Sequence, residues 1–111
     1  MAKRAALGPA THLTHHRIWK FRPAPGRERE FARAYDGEGA WAALFGKARG
    51  YRGTELLRPL EPGGWWMTID RWDAEADFHA FQRDFGTEYR ALDSELEGVA
   101  GDEEFVGAFE G

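Results

Sequence analysis

Apolar positions along the chain alternate between strand-like and helix-like stretches. Residues 15–22 are rich in β-branched and aromatic side chains and stop at Pro23, which predicts a first strand. Pro25 and Gly26 mark a turn. Phe31 and Tyr35 then lie four apart, and Trp41, Leu44, Phe45 and Ala48 recur at helical spacing. Gly37 and Gly39 fall between the two groups, so the pattern predicts one helix, broken or kinked there and ended by Gly50. Residues 51–60, closed by Pro59, read as strand two, 61–64 as a turn and 65–72 as strand three, so the two strands form a hairpin. Asp73 is placed to cap the next helix. Its apolar stripe runs Phe78, Phe81, Phe85, Tyr89, Leu92, Leu96, which predicts one long helix, bent at most at Gly86 and ended by Gly98–Gly101. Residues 103–110 are strand four.

The order strand, helix, strand, strand, helix, strand is the split βαβ pattern. It predicts an α+β, ferredoxin-like fold: a four-stranded antiparallel sheet with both helices on one face. Period-two alternation then assigns faces. Trp65, Met67 and Ile69 share one face of strand three; Trp66, Thr68, Asp70 and Trp72 share the other. Ile18 opposes Trp19 and Phe21 in strand one, and Phe105 and Phe109 are expected together, opposite Val106. Both faces are apolar, and two helices cover only one. An exposed tryptophan leaves about 150–250 Å² unburied, roughly 4–6 kcal/mol at 25 cal/mol/Å² as an upper bound. The free face is therefore expected to meet a second copy of the chain in a two-fold homodimer.

Composition narrows the functions. The 111 residues suit one domain, 15–111, preceded by an arm at 1–14 expected to be mobile. A net charge of −4, from 15 basic and 19 acidic side chains, argues against a nucleic-acid partner. No run approaches the roughly 20 apolar residues of a membrane span, and the N-terminus lacks the apolar core of a signal peptide. The absence of cysteine excludes disulfides and thiolate metal sites and suits a reducing cytoplasm. His12, His15 and His16 cluster in "HLTHH", but an unfixed arm lacks the geometry a metal needs, so no metal is expected.

Four segments, "RIWKFRPAPGREREFARAY", "WAALFGKARGYRGTELL", "MTIDRWDAEADFHAF" and "EYRALD", carry a family resemblance. Over about residues 16–110 the chain resembles the antibiotic biosynthesis monooxygenase-like proteins of the dimeric α+β barrel superfamily. Strand three ending in Asp70 and Trp72, followed by Asp73, resembles the family, as does "GYRGTELL" where a helix runs into strand two. The resemblance implies a homodimer that binds a small aromatic or polyketide-like compound between sheet and helices. It also implies reaction with dioxygen without a cofactor. Two departures stand out. Many members carry histidine or tryptophan nine residues after the strand-three tryptophan, where this chain has Phe81. The strand-one asparagine of heme-degrading relatives has no counterpart, so a heme role is the weaker alternative. A non-catalytic ligand-binding or stress-response module is the other.

Asp70 and Trp72 are the catalytic candidates. If buried, the Asp70 carboxyl would be pushed upward and suit a general base; the plainer role is an ion pair with Arg17 or Arg58. Trp72 could stack on a planar substrate or simply pack in the core. Tyr35 and Tyr89, on inward helical stripes, could give phenolic hydrogen bonds. His79 could shuttle protons, although one step off the stripe it should face solvent. Trp66 and Phe81 complete the expected substrate-binding set.

Overall fold

The computed structural model describes residues 13–111. Strand β1 (His15–Arg22) is followed by helices α1 (Glu28–Tyr35) and α2 (Ala40–Phe45) and strands β2 (Tyr51–Leu57) and β3 (Trp66–Trp72). Helices α3 (Glu75–Asp84) and α4 (Gly86–Glu95) and strand β4 (Asp102–Glu110) complete the chain. The four strands form one antiparallel sheet in the order β2-β3-β1-β4, with the helices packed on one face. This is the ferredoxin-like α+β arrangement.

Each expected helix is divided in two. Between α1 and α2, Asp36 leaves the helix with extended backbone and its carboxylate accepts the Glu38 amide at 2.9 Å. A side chain at Gly39 would lie 2.4 Å from the Ala34 carbonyl, so only glycine permits this tight return. The second break corrects the expectation of one long helix: Phe85 leaves helical geometry (φ −121°, ψ 22°) and Gly86 begins α4. Asp73 is not the cap either. The residue before α3 is Ala74, and the Asp73 carboxylate instead pairs with Arg52 across the strand ends. Strand β2 stops at Leu57, before Pro59 could demand an amide it lacks.

Thr14 belongs to the sheet's margin, not to an arm: its N–H and C=O exchange hydrogen bonds with Gly111 at 3.2 and 3.1 Å. Residues 1–12 of the expected arm, His12 included, lie outside the described residues. His15 and His16 are in β1 and, as strand neighbours, point to opposite faces.

The register shows what each face carries. His15, Arg17, Trp19 and Phe21 pair with Trp72, Asp70, Thr68 and Trp66, and all eight face the helices. Beneath α2 and α3, Trp72 is fully buried against Phe45, Phe78 and Phe81. A second cluster joins Phe21, Phe31, Trp66, Val99 and Ala100. Each large ring removes enough apolar surface from water to contribute several kcal/mol, which is how so small a domain holds together.

The opposite face holds Ile18, Lys20, Met67, Ile69 and Arg71, with Leu57 and Phe109 at 42% and 48% exposure. Trp65 is on this side too, with Lys20 and Arg22 4.6 and 4.2 Å from its ring, so cations of its own chain already cover part of it. Strict alternation fails in β4. A register shift places Gly107 opposite Ile18 and Phe105 opposite Trp19, leaving Val106 as the extra residue. Phe105 therefore turns to the helix side, 5.1 Å from Trp19, while Phe109 pairs with His16 on the outer face.

Candidate active site

Sheet and helices do not close completely over the middle of β3. A cleft opens there, walled by Trp19, Phe21, Tyr35, Trp41, Phe45 and Tyr89. Its polar edge is Thr54, Thr68, Asp70, Asp93 and Glu103. It holds about 480 Å³ of free space, counting the part open to solvent. It is a narrow cleft between aromatic rings.

Asp70 lies at its base. Cross-strand neighbours place Arg17 on one side and Thr54 on the other. The Thr54 hydroxyl donates to the Asp70 carboxylate at 2.6 Å, and with that proton committed it accepts from the Tyr51 hydroxyl at 2.5 Å. A bulge between Tyr51 and Gly53 makes this chain possible. Without it, residues 51 and 54 would project to opposite faces. Burial pushes the Asp70 carboxyl up to about 6, with the Thr54 hydrogen bond and the Arg17 charge opposing. No ion pair holds it among the described residues. The Arg17 guanidinium stacks over Phe78 at 3.8 Å, and Arg58 lies 5.1 Å from the Trp66 ring. The expected pairing with either arginine thus gives way to a hydrogen bond from a neutral hydroxyl.

The tyrosines of the cleft are held protonated. Burial, reinforced by Glu103 and Asp93, pushes Tyr35 up to about 12. The Trp41 indole is close enough to oppose that shift, but its Nε1 meets no acceptor with hydrogen-bond geometry. Tyr89 is raised by burial and then by Asp93, Glu103 and Asp70, and Tyr51 by burial against its Thr54 hydrogen bond. At neutral pH these hydroxyls are donors, and Asp70 is the group poised to take a proton.

Of the residues expected to form the site, Asp70, Tyr35 and Tyr89 line the cleft. Trp72 does not, because α2 and α3 close over it. Phe81 is buried in the same cluster. Trp66 is buried at the other end of β3 against Phe31. His79 is exposed on α3, within 3.2 Å of Glu75 and Gln82. Thr54, Asp93 and Glu103 carry no sequence motif and come to the cleft only through strand register and the return of β4 to the sheet.

Fold and cleft together define a small α+β protein with a buried carboxyl at the foot of an aromatic pocket. The family profile for antibiotic biosynthesis monooxygenase matches residues 14–95, and the chain belongs to that family. Among solved structures it is similar to SnoaB, a cofactor-independent oxygenase from Streptomyces nogalater. The two share 23% identity and a TM-score of 0.55 over 87% of this chain and 89% of that one. It is also similar to the ActVA-Orf6 monooxygenase of Streptomyces coelicolor in complex with Nanaomycin D, at 16% identity and a TM-score of 0.60 over 90% and 87% of the two chains. A putative antibiotic biosynthesis monooxygenase from Nitrosomonas europaea gives 12% identity and a TM-score of 0.59 over 90% of each. No curated protein matches the chain. Among the described residues, no helix is long and apolar enough to cross a membrane.

Proposed function

We propose that this chain is a monooxygenase of the cofactor-independent kind, acting on a small aromatic, polyketide-like compound bound in the cleft. The observation that carries the reading is Asp70: a carboxyl pushed up to about 6, at the base of a ring-walled slot and hydrogen-bonded to Thr54. A flat phenolic substrate sits between the rings. Asp70 takes its acidic proton, and the electron-rich anion adds dioxygen at carbon. The O–O bond then breaks, one oxygen staying as a carbonyl and the other leaving as water with the two hydrogens the substrate has lost, the phenolic proton returned by Asp70 and the hydrogen of the carbon that becomes the carbonyl. The Tyr51–Thr54 pair holds the carboxylate in place through proton transfer. The two Streptomyces neighbours, described as oxygenases, support the reading.

The homodimer belongs to the same proposal. Ile18, Met67, Ile69, Leu57 and Phe109 form an apolar outer face that no helix among the described residues covers. The test of catalysis is oxygen uptake with a panel of anthrones and hydroquinones. Uptake by the wild type, lost in Asp70→Asn, is expected; no uptake with any of them refutes the enzyme reading. Binding without turnover is the second reading. Phe81 favours it, because its buried ring supplies no N–H where many members of the family have histidine or tryptophan.

A further inference from the structure

Arg17 is the register partner of Asp70, and both side chains face the helices. Directly opposed side chains on neighbouring strands have Cβ atoms about 4.5–5.5 Å apart, well within the reach of an arginine. An ion pair is the ordinary outcome of such a placement, because a carboxylate leaving water needs a counterion. It does not form. Arg17 enters none of the six ion pairs and donates no side-chain hydrogen bond among the described residues. Its guanidinium lies instead 3.8 Å from the centre of the Phe78 ring and 4.9 Å from that of Phe105. The two rings come from distant parts of the chain. Helix α3 supplies Phe78, and the register shift in β4 turns Phe105 to this side. Phe78 is buried and meets Trp72 edge to face, so its place is fixed.

A planar guanidinium stacks on an aromatic face and is attracted by it. The consequence for Asp70 follows from its hydrogen bonds. Thr54 occupies Oδ1, and Oδ2 has no partner among the described residues. Arg17 in contact would take Oδ2, the oxygen left to receive a substrate proton, and would make the carboxylate a weak base. With no cation nearby, a carboxyl in this place would hold its own proton more tightly. We infer that Phe78 and Phe105 clamp the Arg17 guanidinium away from Asp70, near enough to favour its negative charge and too far to cap the carboxylate. Arg17, Phe78 and Phe105 are then positioning residues, acting on a substrate only through Asp70. This rests on Asp70 being the base of the cleft. The carboxyl's value of about 6, where burial outweighs the Thr54 hydrogen bond and the Arg17 charge, is what a cation held at a distance gives. The other groups around the pair do not replace Arg17. Glu75 of α3 and Tyr89 of α4 act on the guanidinium, and Glu75 is within 3.2 Å of His79. His15, two residues along β1, is held towards its neutral form by burial and by Arg17 itself. Tyr51 and Thr54 approach from β2, and Asp93 and Glu103 stand at the cleft's edge.

The test follows the Asp70 side-chain carboxyl by carbon-13 NMR as a function of pH in the full chain. Phe78→Leu and Phe105→Leu are each made with and without Arg17→Met, which keeps the apolar stem and removes the charge. Phe78→Leu should lower the Asp70 midpoint by about one to three pH units, as the freed guanidinium reaches the carboxylate. Phe105→Leu should lower it by less, at a 43% exposed position where folding is not at stake. Arg17→Met should raise the midpoint, and both double variants should match Arg17→Met, because the rings then have no cation to hold. Wild-type Asp70 titrating in the ordinary carboxylate range overturns the clamp and the base reading together. A raised wild-type midpoint that Arg17→Met leaves unmoved overturns the clamp alone. So do Phe→Leu variants that leave it unmoved, or that lower it equally with Arg17→Met present. Should Phe78→Leu fail to fold, the Phe105 pair decides by the same criteria.

Discussion

Asp70 should make this protein less stable as the pH rises, and the size of the effect follows from its burial. Its carboxyl titrates at about 6 in the folded chain against a reference value of 3.8. The folded state therefore holds the proton more tightly than the unfolded one, and Asp70 favours folding most at low pH. Below about pH 3.8 both states are protonated and the carboxyl costs nothing. Between 3.8 and 6 the unfolded chain ionises first, and the cost grows by about 1.4 kcal/mol per pH unit. Above 6 it levels at roughly 3 kcal/mol, an upper bound but a large part of the 5–15 kcal/mol typical of a domain. Asp70→Asn keeps an acceptor for the Thr54 hydroxyl and removes the ionisation. Urea unfolding at pH 4, 5.5 and 7.5 should show the variant close to wild type at the lowest pH and up to about 3 kcal/mol more stable at the highest. Subtracting wild type from variant cancels the other titrating groups. A difference flat across this range, or one that shrinks with pH, would refute the burial argument and with it the case for Asp70 as a base. A stabilising substitution that abolishes turnover is what a site kept at a cost in stability predicts.

For a substrate active in the uptake assay, kcat/KM should rise with pH through a midpoint near 6 as Asp70 ionises, and Thr54→Val should move that midpoint upward by about one to two units, because a hydrogen bond to a charged group is worth about 1.5–3 kcal/mol; an unmoved midpoint would detach the profile from Asp70. Trp72→Ala should cost about 3–5 kcal/mol by urea unfolding, since the ring is fully buried, whereas Trp72→Phe should lose less and leave ligand binding intact; ligand affinity falling without lost stability would return Trp72 to the site. Ile69→Lys, in the middle of the uncovered sheet face, should convert a dimer to a monomer in light scattering with the circular dichroism unchanged; a wild-type chain that is already monomeric at micromolar concentration would dispose of the dimer.

The order of elements and the face of each β3 side chain were legible in the sequence. Strand alternation is local geometry, and it placed Asp70, Trp66 and Trp72 on one face without knowledge of any neighbour. The helical stripes likewise turned Tyr35 and Tyr89 inward. Local pattern failed where one residue of slip mattered. The bulge in β4 sent Phe105 and Phe109 to opposite faces, and the bulge in β2 carried Thr54 round to Asp70 and onto the side of Tyr51. Helix boundaries failed for a related reason: the apolar stripe runs unbroken through Phe85 and Gly86 although the backbone does not.

Shared face also proved different from shared surroundings. Asp70 and Trp72 are two residues apart on the same side of the same strand, yet one borders a cleft and the other is sealed under α2 and α3. The sequence by itself determined the fold class and the candidates for an inward-facing acid. Tertiary structure alone decided which of them meets open space, which hydroxyl holds the carboxylate, and that Asp93 and Glu103 stand over the same slot. The physical reason is range: side-chain direction follows from adjacent residues, whereas cavities, hydrogen-bond partners and the field around a carboxyl come from elements far apart along the chain.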